Sequence, residues 1–147
     1  MKLTKQQLEK LIQDLAQKLA PIEGLPHTTV KTIRETALIF EAKIKELNDK
    51  VRNAKGFDAF AKAQEKEYKY FCEKNKVKCN EMGHMPPQHQ DAWTEALKKV
   101  ATKHKGAVDV ITKIEVTAID VEFPQISDFT GMPAIHLLNA SELFNLK

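Results

Sequence analysis

The chain has few of the residues on which enzyme active sites depend. Its 147 residues include only two cysteines and five glycines, and Ser127 and Ser141 are the only serines. No glycine-rich phosphate loop, no H-E-x-x-H zinc-protease motif and no G-x-S-x-G nucleophile motif occurs in it. These absences predict a protein that is not an enzyme.

Long apolar runs are also missing. The longest run in the main predicted helix is Ala37–Phe40, whereas a membrane-spanning helix needs about 20 apolar residues. The first ten residues alternate apolar and charged side chains, and they contain no apolar stretch of the signal-peptide kind. We therefore expect a cytoplasmic protein that makes no contact with membranes and keeps Cys72 and Cys79 reduced.

Positive charge is carried almost entirely by lysine, since Arg34 and Arg52 are the only arginines. The net charge of +3 hides an asymmetry, because residues 114–147 carry five acids against Lys147 alone, a net of −4 that leaves +7 elsewhere. Lysine lacks the guanidinium fork that reads guanine with two hydrogen bonds. The composition therefore favours solvated helix faces over base recognition.

An apolar seam along residues 30–54 is the clearest pattern in the chain. Its members recur at alternating steps of four and three residues: Ile33, Ala37, Phe40, Ile44, Leu47, Val51 and Ala54. An average spacing of about 3.5 residues keeps one stripe of a helix facing a partner helix, as in coiled coils. The seam therefore predicts a long helix packed on another helix, from the same chain or from a second copy.

Shorter signals predict the elements around this helix. The Thr4–Gln7 capping box opens a first helix, and Thr28 or Thr29 is expected to cap the second. Gly56 predicts a kink or a turn, because glycine lowers helix propensity by about 1 kcal/mol relative to alanine. A third helix then runs to about Asn75.

The pattern of apolar residues changes in the second half of the chain. Residues 91–112 are predicted to be helical, with Gly106 either ending that helix or lying inside it. Residues 114–123 alternate and are rich in β-branched side chains, which predicts a strand. Residues 134–138 are a candidate second strand, and residues 139–146 a capped final helical turn.

Together these elements predict a single domain over residues 1–147. Its class is mainly α (α+β), a long helical hairpin or small helical bundle with a short C-terminal β element. The predicted parts are N-terminal helices (1–75), a Cys/His/Pro loop (76–90), a helix (91–112), and strands with a terminal helical turn (113–147).

One cluster carries metal-ligand chemistry. Its members are Cys72, Cys79, His84 and His89, spaced C-x6-C-x4-H-x4-H. These are ligand types that tetrahedral zinc takes. The latter half resembles the second half of a retroviral-type zinc knuckle, whereas the six-residue gap between the cysteines does not. Unliganded loop residues are the expected interpretation, so no cofactor is expected, and a Zn²⁺ site is the alternative.

A basic patch is the candidate for nucleic-acid binding. It consists of Lys62, Lys66, Lys69, Lys98, Lys99 and Lys103. The first three are interleaved with Tyr68, Tyr70 and Phe71, and aromatic side chains among cations can stack bases and neutralise phosphates. Acids interrupt the patch and the aromatics equally suit a core, so solvated helix faces are the other interpretation.

The order of elements resembles a group of small phage-encoded proteins of uncharacterised role. The matching segments are MKLTKQQLEKLIQDL, VKTIRETALIFEAKIKELNDKV and IEVTAIDVEFPQISDFTG with LLNASELFNL. The resemblance is one of layout across most of the chain, and the Cys/His loop departs from it. It implies a phage accessory protein in the cytoplasm of a bacterial host, acting by protein contact as an assembly factor or an inhibitor of a host system.

These observations predict a non-enzymatic interaction protein that acts through helical surfaces. Its expected partner is another protein, which could be a second copy in a homo-oligomer, and nucleic acid is not the expected partner. The alternative is a zinc-stabilised nucleic-acid-binding module.

Overall fold

The computed structural model describes residues 1–78, 80, 83–133 and 144. In chain order the elements are β1 (Lys2–Leu3), α1 (Lys5–Asp14), a π-helical turn (Leu15–Leu19), α2 (His27–Arg52), α3 (Phe57–Lys74), a 3-10 turn (Pro87–His89), α4 (Gln90–Lys103), α5 (Lys105–Val116) and β2 (Ile119–Asp120). The described chain is mainly helical with one small sheet, which confirms the predicted fold class.

The chain forms two compact units. Unit 1 consists of residues 1–48 and 115–147, and unit 2 consists of residues 49–114. Unit 1 therefore contains both strands, α1 and most of α2, whereas unit 2 contains α3, α4 and most of α5. Each unit is described by itself below.

The sheet of unit 1 joins the two chain segments of which the unit consists. β1 pairs with β2 in antiparallel register, with Leu3 opposite Ile119. The N–H of Val121 donates a hydrogen bond of 2.8 Å to the carbonyl oxygen of Met1, which extends the pairing by one step. Leu3 and Val121 are both buried, so this short ladder also contributes to the core.

The strand predicted over residues 114–123 is wrong in its extent. Residues 114–116 complete α5, and only Ile119–Asp120 forms a strand. The β-branched residues that suggested a strand are compatible with a helix when tertiary packing requires one. The partner β1 is only two residues long, so it cannot support a longer ladder. Residues 134–138, the predicted second strand, lie outside the described residues.

The first helix begins as the capping box predicts. Thr4 Oγ1 accepts a hydrogen bond from the Gln7 N–H, and Gln7 Oε1 accepts one from the Thr4 N–H at 2.8 Å. This reciprocal pair satisfies two amide donors that would otherwise lack partners at the helix start. The helix and the π-helical turn that follows bury Leu8, Leu15 and Leu19, as the apolar spacing predicts.

The predicted threonine cap of the second helix is wrong. α2 begins at His27, so Thr28 and Thr29 lie inside its first turn. Thr29 is only 1% exposed, and its hydroxyl donates a hydrogen bond to the carbonyl oxygen of Asp128. A buried hydroxyl needs such a partner, and here the bond holds the segment after β2 against α2.

Unit 2 contains a helical hairpin formed by α3 and α4. The Trp93 ring lies edge-on to Tyr68, with ring centroids 5.5 Å apart, and to Phe71, with centroids 5.4 Å apart. Edge-to-face aromatic pairs add about 0.5–1.5 kcal/mol beyond the burial of their area. Trp93 and Phe71 are buried, so these rings fix how the two helices pack.

The third helix ends as predicted, through a Schellman motif. The Val77 N–H bonds to the Cys72 carbonyl oxygen at 2.9 Å, and the Lys76 N–H bonds to the Glu73 carbonyl oxygen at 3.3 Å. Lys76 has a φ of 54°, the left-handed conformation that glycine usually supplies at this position.

The helix predicted over residues 91–112 is two helices. α4 ends at Lys103 and α5 begins at Lys105. The break is at His104, whose N–H is shared between the carbonyl oxygens of Val100 and Ala101. Gly106 lies within α5, because a glycine near the start of a helix does not by itself stop it.

The predicted turn at Gly56 is confirmed and has a steric cause. Gly56 separates α2 from α3 with a φ of 85°, and a Cβ on it would lie 3.2 Å from the Cβ of Ala107. Both features select glycine, since the left-handed conformation costs other residues about 1–2 kcal/mol.

Replacing Gly56 by alanine is expected to lower the free energy of unfolding by about 1–3 kcal/mol, from strain and from crowding against Ala107. The matched control is Gly106→Ala, where no φ is positive and a Cβ would meet open space. That control should raise stability by up to about 1 kcal/mol. Urea unfolding followed by circular dichroism measures both, and equal effects at the two positions would contradict this account.

Candidate functional site

The predicted seam is buried along much of α2. Phe40 is 0% exposed, and Ile33 and Leu47 are also buried. Ala37 and Ile44 are partly buried, while Thr36 is fully covered. The buried stripe therefore follows the predicted seam but is centred closer to Thr36 than to Ala37.

Part of the cover on the seam comes from residues that follow β2. The Phe123 ring lies edge-on to Phe40, with ring centroids 5.2 Å apart and planes at 81°. The Phe144 ring also lies edge-on to Phe123, with ring centroids 6.0 Å apart, and Phe144 is itself buried. The sequence predicted another helix as the partner of the seam, and Phe123, which lies outside the helices and strands of the described chain, provides part of the cover on Phe40.

The predicted seam does not lie within a single unit. Its first five positions belong to unit 1, whereas Val51 and Ala54 belong to unit 2. Ala54 lies beyond the end of α2, and both residues are partly buried. The seam is thus mainly a core feature of unit 1.

A different face of α2 is open to solvent. It carries a groove of about 390 Å³ that we call the α2 groove. The groove is lined by Leu25, His27, Val30, Lys31, Arg34, Glu35 and Leu38. Its walls are mostly apolar, and Leu38 leaves 64% of its surface exposed. Single exposed apolar residues are common, so the grouping of Leu38 with Leu25 and Val30 around one depression makes this face a candidate binding surface.

The charged rim of the α2 groove has an excess of positive charge. The Lys31 ammonium and the Glu35 carboxylate are 3.7 Å apart, which balances that pair. Arg34 is exposed and lies beside them, without an acidic partner in the described part of the chain. The rim therefore favours an occupant that carries acidic side chains beside apolar ones.

The sequence contained a signal for this groove that the periodic pattern concealed. Val30, Arg34 and Leu38 recur every four residues and so share one face of the helix. Leu38 belongs to the run Ala37–Phe40, of which only two members belong to the seam. The position of Leu38 outside the seam was therefore the available signal for an exposed apolar surface.

The structure separates the described members of the Cys/His cluster. Cys72 is a buried free thiol in α3, whereas His84 is exposed. His89 packs its ring edge-on to Phe71 at 6.3 Å. Within the described ranges no three His, Cys, Asp or Glu side chains are grouped closely enough to hold a metal ion. Cys79 lies outside the described residues.

The six lysines of the basic patch all lie exposed on the hairpin of unit 2. Two of them are neutralised locally. Lys69 donates a hydrogen bond of 2.6 Å to Glu65, and Lys98 donates one of 2.7 Å to Glu95. These bonds lower the pKa of the Glu65 and Glu95 carboxyl groups, so both acids stay ionised and offset the charge of their lysine partners.

Two other lysines of the patch line a groove on the same hairpin. We call it the basic groove; its volume is about 280 Å³. It is lined by Ala63, Lys66, Glu67, Tyr70, Val100, Lys103 and His104. Tyr70 is 57% exposed, unlike Tyr68 and Phe71, which pack against Trp93. The hairpin thus places two cations and an exposed aromatic ring around one depression.

Comparisons with known proteins found no match to this chain. No family model, no curated protein and no solved structure matches the chain. Among the described residues, no helix combines the length and the apolar character that crossing a bilayer requires.

Proposed function

We propose that the chain is a non-enzymatic interaction protein that binds a helical segment of another protein through the α2 groove. The observation that supports this most is the exposure of Leu38 on a regular helix of 26 residues. Grooves that bind amphipathic helices present apolar side chains on a rigid element in this way. The partner that fits is an apolar stripe flanked by acidic residues.

The burial of the seam within the chain supports this proposal. Because Phe40 and Leu47 are buried within the described chain, they are not available to a second molecule. The exposed apolar surface of α2 is therefore the groove, which is separate from the seam. A second copy of the chain could use the same groove, and the experiment below distinguishes that outcome.

The layout resemblance makes the proposal more specific. A phage accessory protein that acts as an assembly factor or as an inhibitor of a host system works by occupying a surface of another protein. The α2 groove offers such a surface. The proposed setting is the cytoplasm of a bacterial host.

Site-specific photo-crosslinking tests the proposal. Benzoylphenylalanine is placed at position 38 and, as a matched control, at position 116, because Leu38 and Val116 are both 64% exposed. In bacterial lysate we expect one defined adduct from position 38 and none from position 116. Leu38→Asp should then abolish retention of the protein identified in that adduct, and Val116→Asp should not.

Two other outcomes are informative. An adduct of twice the chain mass, formed by the purified protein alone at position 38, would identify a second copy as the partner. No adduct at position 38, or equal adducts at both positions, would contradict a binding role for the α2 groove.

A further inference from the structure

We infer that the basic groove of unit 2 binds single-stranded nucleic acid, with Lys66 and Lys103 on the phosphates and Tyr70 stacked on a base. This site is separate from the α2 groove and does not depend on the function proposed for it. The inference rests on the hairpin geometry and not on the metal cluster suggested by the sequence.

The charge around the basic groove is mainly positive. Lys66 from α3 and Lys103 from the last turn of α4 line the same depression. Neither forms an ion pair with an acid in the ranges that the structure describes. Glu67 is the one acidic lining residue, so the cations are in excess. Unpaired lysines beside a depression attract a chain of phosphates and release its counterions.

Further lysines lie on the same hairpin beyond the basic groove. No acid occurs between Glu95 and Asp109, and besides Lys98, which is paired with Glu95, this stretch contains Lys99, Lys103 and Lys105. Lys62 is exposed on α3, one turn before Lys66. A nucleic-acid backbone leaving the groove would therefore meet further cations on both helices.

Tyr70 supplies an exposed aromatic ring at the basic groove. Tyr70 exposes 57% of its surface, although a tyrosine usually covers most of its ring when it has only a packing role. The Lys74 ammonium lies 6.0 Å from the centre of this ring. An exposed ring with cations beside it is the arrangement on which single-stranded bases stack.

These features favour a single strand over a duplex. Stacking on Tyr70 requires an unpaired base, and lysine contacts the backbone without reading base edges. Binding should therefore be tolerant of sequence and steep in its salt dependence. For about four phosphate contacts the expected slope of log K against log salt is about −3.

Fluorescence polarisation with a labelled oligothymidylate of about twelve nucleotides tests this inference on the full chain. The variant Lys66→Gln/Lys103→Gln removes the groove cations, and it should weaken binding about tenfold and reduce the salt slope by about 1.4. The matched control is Lys69→Gln/Lys98→Gln, which removes the same charge from the same helices at the two ion-paired positions. It should weaken binding by less than about threefold.

The stacking step has its own test. Tyr70→Ala should weaken binding about fivefold or more, while Tyr70→Phe, which keeps the ring, should bind as the parent does. The substituted side chains are all exposed on the hairpin, so circular dichroism should show every variant folded.

Several results would overturn the inference. They are absence of binding at low salt, equal losses for the two double-lysine variants, and normal binding by Tyr70→Ala. Displacement of the oligonucleotide by poly-glutamate at equal charge, together with normal binding by Tyr70→Ala, would instead identify an acidic polypeptide as the ligand.

Discussion

Replacing Phe40 by alanine is expected to lower the free energy of unfolding by about 3–5 kcal/mol. Phe40 is 0% exposed, and its ring packs edge-on against Phe123. The substitution removes this contact and leaves a cavity that rigid neighbours cannot fill. Most domains are stable by only about 5–15 kcal/mol, so the variant should lose a large part of the stability of unit 1.

The matched control for Phe40 lies two residues away on the same helix. Leu38→Ala removes an apolar side chain that is already 64% exposed, and it should change stability by about 0.5 kcal/mol or less. Urea unfolding followed by far-ultraviolet circular dichroism compares the two variants. Similar losses at positions 40 and 38 would mean that α2 is not buried along the seam.

Replacing Gly131 by alanine is expected to cost about 2–5 kcal/mol, from backbone strain together with a clash. Gly131 has a φ of 80°, and a Cβ on it would lie 2.8 Å from the carbonyl oxygen of Gly24. That oxygen belongs to the main chain and cannot rotate away as a side chain would. The segment after β2 would have to move away from the loop before α2.

Gly24→Ala separates strain from contact. Gly24 has the same φ of 80°, but a Cβ there would meet open space. It should therefore cost only the strain, about 1–2 kcal/mol. Thermal unfolding of both variants tests the difference, and an equal effect at positions 24 and 131 would show that the two backbone segments do not approach closely.

Features that depend on neighbouring residues could be predicted from the sequence. The Thr4–Gln7 capping box forms as predicted, because each partner is three residues from the other. The turn at Gly56 also follows from a local backbone preference, whereas α3 ends with Lys76 in a left-handed conformation that favours glycine. The repeated pattern of a long helix identified Ile33, Phe40 and Leu47 as covered positions, but it missed the buried Thr36.

Features that depend on distant residues could not be predicted in this way. The strand β1 is two residues long, too short for an alternating pattern, and its partner β2 lies more than a hundred residues further along the chain. Nothing local to Thr29 indicates that its hydroxyl bonds to Asp128 and not to the start of its own helix. The interpretation of residues 114–123 as a strand failed because α5 continues through Val116 and only Ile119–Asp120 pairs as a strand.

The candidate sites show the same division. The lysines of the basic patch were apparent from composition, yet only the hairpin shows that Lys66 and Lys103 share a groove while Lys69 and Lys98 are paired with acids. The α2 groove was hidden because apolar periodicity identifies the buried face of a helix. An exposed leucine such as Leu38 becomes informative only when the covered face is known.

Part of the cover on the apolar seam of α2 comes from the same chain's segment after β2. Nuclear Overhauser effects between the ring protons of Phe40 and Phe123, whose centroids are 5.2 Å apart, measure this most directly. In a mixture of isotope-labelled and unlabelled protein, we expect these effects to persist on dilution and to be absent from the spectrum filtered for intermolecular contacts. Their absence altogether, or their appearance only in the intermolecular spectrum, would contradict the claim.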